Sequence, residues 1–106
     1  MKIYIAGKIT GDNDYKKKFS DAERLLSAMG HSVMNPARQE AYPEFSWEDY
    51  MAVSGAMQER CTAVLFLPDW KDSRGARIEF KRALARGQDI FYSVSEVPSL
   101  MPCKKP

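Results

Sequence analysis

The apolar positions along the chain change period several times, and each change marks an element. Residues 2–6, KIYIA, carry β-branched and aromatic side chains and stop at Gly7, the pattern of a strand. From Asp14 to Met29, Phe19, Ala22, Leu25, Leu26 and Met29 recur at steps of three and four, which predicts an amphipathic helix. Gly30 follows as its C-cap. HSVMNP gives a short second strand closed by Asn35 and Pro36, and 37–45, with Pro43, reads as a loop. Ser46 is the N-cap of a second helix reaching about Arg60, with Asp49 in place of the usual Glu of a capping box. Tyr50, Val53, Met57 and Cys61 form its apolar stripe, and Ser54 falls within it.

TAVLFLP is a continuous apolar run, as expected of a central parallel strand covered on both faces. PDWKDS leads to a third helix, Arg74 to Arg86, closed by Gly87, and QDIFYSV supplies a fourth strand. On the third helix Ala76, Phe80, Ala83 and Leu84 share the face that packs on the sheet. The segment from Glu96 has no period and is expected either to be mobile or to dock on a partner. Strands alternating with helices at this spacing predict an α/β fold: a flavodoxin-like three-layer sandwich with a parallel sheet in the order 2-1-3-4. The expected domain is 1–95, followed by a tail at 96–106. Ligands of such sheets bind at the carboxyl ends of strands 1 and 3, where the winding reverses. Two loops are thereby selected, GKITG and DWKDSRGARIE.

Composition narrows the partners. With 44% hydrophobic and 28% charged residues in 106, the chain is of ordinary globular type. A net charge of +2 provides no field to hold a nucleic-acid polymer, while small anions remain open. Cys61, Cys103 and the sole histidine, His31, make neither a zinc site nor a disulfide framework. No metal or cofactor is expected. MKIYIAG is too short for the apolar core of a signal peptide, so a cytoplasmic protein with no membrane partner is expected.

Candidate chemistry gathers on the two loops. Glu79 sits beside the packing face of the third helix, with only Ala76 and Ala83 one turn either way. It either faces a ligand in a small-walled groove or is a solvated helix residue paired with Arg82. Ser73 can cap this helix while Gly75 leaves its first turn free of bulk, so that backbone N–H groups hold an anion; alternatively the helix is simply well capped. Gly7 and Gly11 let the first loop approach a ligand, and Lys8 and Thr10 add a charge and a hydroxyl. The loop lacks the spacing of a Walker A motif. Trp47, Trp70, Tyr4 and Tyr15 either stack on a planar base or serve as core or interface residues. Ser54 either bonds back to its own helix or looks into the pocket.

IAGKITG, the NP after the second strand, SWEDYM, the helix before AVLFLP, and W-KDSRGARIE-ALA-G together resemble the nucleoside 2-deoxyribosyltransferase superfamily, above all its short, often phage-borne domains without an assigned function. The resemblance runs from Met1 to about Tyr92. It implies cleavage or transfer of the N-glycosidic bond of deoxynucleosides or their 5′-monophosphates, with Glu79 at the position of the catalytic glutamate. In the 2′-deoxynucleoside 5′-phosphate N-hydrolase branch a serine matching Ser73 helps hold the phosphate. Cleavage develops positive charge on the sugar, so a carboxylate beneath C1′ can form a glycosyl intermediate or stabilise an oxocarbenium-like state. The substrate contacts so selected are Gly7, Lys8, Ile9, Thr10, Gly11, Ser54, Trp70, Ser73, Arg74 and Gly75.

Three positions depart from the family pattern. Ser54 and Thr62 stand where aspartates are common, and Lys8 where a proline is. Asp49, Asp69 and Asp72 are the candidates to supply the missing acid. The resemblance also implies a homodimer, with Trp47, Tyr50, Met51 and Met57 as apolar surface or as ordinary core. An N-glycosidase or deoxyribosyltransferase acting on a nucleoside or nucleotide is therefore expected. The alternatives are a catalytically silent nucleotide-binding module and a protein-interaction domain with a residual pocket.

Overall fold

Strands β1 (Lys2–Ala6), β2 (Ser32–Met34), β3 (Ala63–Phe66) and β4 (Asp89–Phe91) form one parallel sheet in the order β2-β1-β3-β4, as the alternation of periods predicted. The structure is a computed structural model that describes residues 1–38 and 43–100. Its helices are α1 (Tyr15–Ala28), α2 (Trp47–Glu59) and α3 (Arg74–Arg86), with 3-10 turns at Pro36–Arg38, Trp70–Asp72 and Val94–Glu96. Ile3 pairs with Val33 on one side and Ala63 on the other, and Leu65 pairs with Phe91.

Because side chains alternate along a strand, this register divides the core in two. Ile3, Ile5, Ala63 and Leu65 meet Phe19, Ala22 and Leu26 of α1 on one face. Tyr4, Ala6, Val64 and Phe66 meet Ala76 and Ala83 of α3 and Cys61 on the other. Tyr4 is thus the one phenol on an inner strand that must find a partner beneath α3.

The helices are rotated slightly from the expected faces. Leu25 and Leu84 are exposed, and Val53 is 40% exposed. On α3 the buried stripe is Ala76, Glu79 and Ala83. Leu84 lies about 100° further round than Ala83, which carries it off the sheet and turns Glu79 inward. On α2 the buried residues are polar, Ser54 and Gln58. Gln58 Nε2 donates to the Glu79 carbonyl at 2.8 Å and to Gln88 Oε1 at 3.1 Å. Gln88 Nε2 in turn donates to the carbonyls of Gln58 at 2.8 Å and Cys61 at 2.9 Å. This brace ties the end of α2 to the middle of α3.

The beginning of the tail docks on its own chain. Val97 is buried in the α1 face of the core, the Leu100 N–H donates to the Met29 carbonyl at 2.8 Å, and His31 Nε2 lies 2.6 Å from the Pro98 carbonyl. The rest of the tail, 101–106, and residues 39–42 of the loop expected over 37–45 lie outside the described residues. Among the described residues no helix is long and apolar enough to cross a membrane.

Candidate functional site

The carboxyl ends of β1 and β3 open into a cavity of about 280 Å³. Gly7, Ile9 and Thr10 form its wall after β1, and Pro36 and Ala37 its wall after β2. Trp47, Tyr50, Met51 and Ser54 come from α2, with Tyr15 from α1. Ser73, Gly75, Ala76 and Glu79 come from the first turns of α3 and the residue before it.

Two glycines are demanded by close approach. A Cβ on Gly7 would stand 3.0 Å from the Leu67 side chain, where the Leu67 N–H reaches the Ala6 carbonyl. A Cβ on Gly75 would stand 3.0 Å from Met51 Sδ, so a larger residue there would press on the Met51 thioether where α2 meets the start of α3. Ser73 caps α3 by accepting the Ala76 N–H at 3.1 Å. Ser73→Ala is expected to destabilise the fold by about 1 kcal/mol through loss of this cap, read as a lower urea midpoint with unchanged slope.

Glu79 is 5% exposed. The Tyr4 hydroxyl donates to Glu79 Oε2 across 75 sequence positions, and the pairing with Arg82 weighed from the sequence is replaced by this buried contact. Burial pushes the Glu79 carboxyl up from 4.5 to about 7, against the Tyr4 hydrogen bond, the Arg82 charge and the Ser54 hydroxyl, which all favour the ionised form. The Tyr4 phenol is driven well above its ordinary value, first by burial and then by the neighbouring carboxylate. Tyr4 therefore keeps its proton and remains the donor while Glu79 titrates. Ser54 does both things weighed for it: its hydroxyl donates to the Met51 carbonyl at 3.3 Å and lines the cavity beside Glu79.

Several expected contacts lie elsewhere. Trp70 is outside the wall, stacked on Phe80 with ring centroids 4.6 Å apart and packed against Phe66 at 5.2 Å. The 3-10 turn at Trp70–Asp72 points its indole at the sheet rather than the cavity. Lys8 reaches Asp69 Oδ1 through its backbone N–H at 3.1 Å, and Gly11, with φ 81°, turns the loop beyond the wall. The Arg74 guanidinium lies 4.3 Å from the ring centroid of Trp47, which lines the cavity, but Arg74 itself is not among the wall residues.

None of the three substitute acids reaches the wall. Asp69 is held by Lys18, which also pairs with Asp12. Asp49 closes the capping box with Ser46, at 2.8 and 3.1 Å. Asp72 is exposed on the turn before Ser73. Thr62 bonds to the Lys2 carbonyl at the opposite end of the sheet, so its change from a family aspartate does not touch the cavity. Among the described residues no group of three or more His, Cys, Asp or Glu side chains comes together to hold a metal ion.

Sequence reasoning left the role of Tyr4 open and did not place Pro36, Ala37, Tyr50 and Met51 in the wall. The available signal was chemical: a phenol on an inner strand requires a partner, and Glu79 is the polar residue on the stripe that packs against it.

A family model described as a domain of unknown function (DUF4406) matches residues 1–92. Among solved structures, a 2-deoxyribosyltransferase from the psychrotolerant bacterium Bacillus psychrosaccharolyticus is similar in fold. The TM-score is 0.67 at 20% sequence identity, over 85% of this chain and 69% of that one. No curated protein matches the sequence.

Proposed function

We propose that this chain, which belongs to the DUF4406 family, cleaves the N-glycosidic bond of a nucleoside or its 5′-monophosphate, by hydrolysis or transfer, with Glu79 as nucleophile. The observation that carries this is a buried carboxylate, held by a phenol, in the wall of a partly open cavity at the switch point of a parallel sheet. The cavity volume, near the lower end of the roughly 300–1,000 Å³ usual for small-molecule sites, suits a nucleoside. The likeness of fold to a 2-deoxyribosyltransferase supports nucleoside handling.

In this reading the aromatic wall of Trp47 and Tyr50 covers the base. Thr10, Ser73 and the backbone of the first turn of α3 hold the sugar or its phosphate. As the C1′–N bond lengthens, positive charge grows on the sugar beside the Glu79 carboxylate, and burial strengthens their attraction. Capture of C1′ gives a glycosyl ester, which water or a second base then opens. Exposed Phe45 and Val53 on and beside α2 support a homodimer.

Incubation with a panel of deoxynucleosides, ribonucleosides and 5′-monophosphates, followed by chromatography, tests the reading. Release of free base by the wild type identifies the substrate. No release, with monophosphates protecting the fold against heat, marks a silent binding module instead. Because the nucleophile must be ionised, base release is expected to rise with pH through about 7. Tyr4→Phe removes a hydrogen bond to the charged form, worth about 1.5–3 kcal/mol, and should move that midpoint up by roughly one to two units. A lowered plateau with an unmoved midpoint would show that Tyr4 is only packing.

A further inference from the structure

We propose, resting on the glycosidase reading above, that the site is built for N-glycosides whose leaving base already carries a positive charge, a pyridinium or an N-alkylated purine nucleoside, and cleaves them without an acid catalyst. Glycosidic cleavage ordinarily uses two acids, one at C1′ and one to protonate the departing group. Among the described residues the cavity wall contains one carboxylate, Glu79. The Tyr4 proton is directed onto that same carboxylate and not into the cavity. Asp69 and Asp49 are bound by Lys18 and Ser46, away from the wall. Tyr15 and Tyr50 also line the wall, as hydroxyls and not as carboxylic acids.

A cationic base removes the need for that second acid. When the C1′–N bond breaks, its electron pair returns to the ring nitrogen and cancels the positive charge, so the base departs neutral with no proton supplied. C1′ is taken by a Glu79 oxygen. Water then attacks C1′, the ester bond breaks back to the carboxylate, and the proton lost by water is released. The sum is cationic glycoside plus water giving free sugar, neutral base and one proton.

The cavity also suits a cation in the ground state. Glu79 is the only acidic or basic side chain among the described lining residues apart from the phenols, and it shares the wall with the aromatic rings of Trp47, Tyr50 and Tyr15. Such rings attract cations, and a desolvated site strengthens the effect. Of the positive side chains nearby, Lys18 of α1 is held by Asp12 and Asp69 and Arg74 lies over Trp47, while Arg82, one turn along α3, is close enough to favour the ionised form of Glu79 without lining the wall.

The test compares matched pairs with the full chain: 7-methyldeoxyguanosine beside deoxyguanosine, and nicotinamide riboside beside uridine. Base release is measured as acceleration over buffer, because the cationic partners are intrinsically more labile. The expected result is an acceleration over buffer greater by about a hundredfold or more for the cationic member, the size of the missing general-acid contribution. One proton should be released per turnover, and the acceleration should be lost in Glu79→Gln. Equal or faster cleavage of the neutral partners would overturn this inference and leave the glycosidase reading standing. Cleavage of neither member of either pair would overturn both.

Discussion

Glu79→Gln is expected to lose base release by about a thousandfold or more, as removal of a nucleophile does, and at the same time to gain stability above neutral pH. The gain follows from the site's own electrostatics. In the folded chain the carboxyl titrates at about 7, against 4.5 ordinarily. Between those values the folded state binds a proton that the unfolded state has lost, so stability falls as pH rises through this window and is level above it. The cost is about 3 kcal/mol once Glu79 is fully ionised. Glutamine accepts the Tyr4 hydrogen bond and carries no charge, so it avoids this cost. The two proteins should therefore have similar urea midpoints at the acid end of the window, and the variant should be the more stable by about 3 kcal/mol at roughly pH 8. A difference independent of pH would show that Glu79 does not sit in the dry, raised-pKa setting described. Retained turnover would remove it from the chemistry.

Phe66→Ala should cost about 3–5 kcal/mol of stability. Phe66 is fully buried at the carboxyl end of β3 and carries the aromatic cluster that Trp70, Phe80 and Tyr92 complete, with centroids 5.2, 5.4 and 6.4 Å away. Removing its ring leaves the stacked Trp70 and Phe80 without a floor, and the surrounding strand and helix cannot collapse to fill it. Against a typical total of about 5–15 kcal/mol, that is a large share, read as a lower denaturant midpoint with unchanged slope. A cost below about 1 kcal/mol, outside the range for large core deletions, would contradict the packing. The same cluster explains why Trp70 is unavailable to a ligand: its ring is already committed to the hydrophobic face of α3.

The elements themselves were legible along the chain because each is written locally. KIYIA and AVLF carry the composition of covered strands, Ser46 and Asp49 form the capping box their spacing suggested, and Gly87 takes the left-handed turn that ends α3 at φ 67°. Strand order followed from the alternation of strand and helix together with the preferred hand of crossovers. The two site loops then followed from that order alone. Glu79 was legible as a candidate because its neighbours one turn away are alanines, a property of the helix and not of the fold. Helix rotation was not legible: apolar counting placed Leu25, Val53 and Leu84 inward, but a helix resting on a twisted sheet covers only a limited arc.

What the sequence determined by itself, then, is the set of strands and helices, their order in the sheet and the end of the sheet at which the cavity opens, since these depend on backbone period and chirality. Tertiary structure alone decided which polar groups meet. Tyr4 found Glu79 across 75 positions and Lys18 took Asp69 across 51. Gln58 joined Gln88 across 30 positions, and Trp70 turned to Phe66 instead of the cavity. Such choices are settled by register and packing, which bring together residues that no local pattern relates. Burial then fixes their protonation, because desolvation acts on a carboxyl only once the rest of the fold has closed around it.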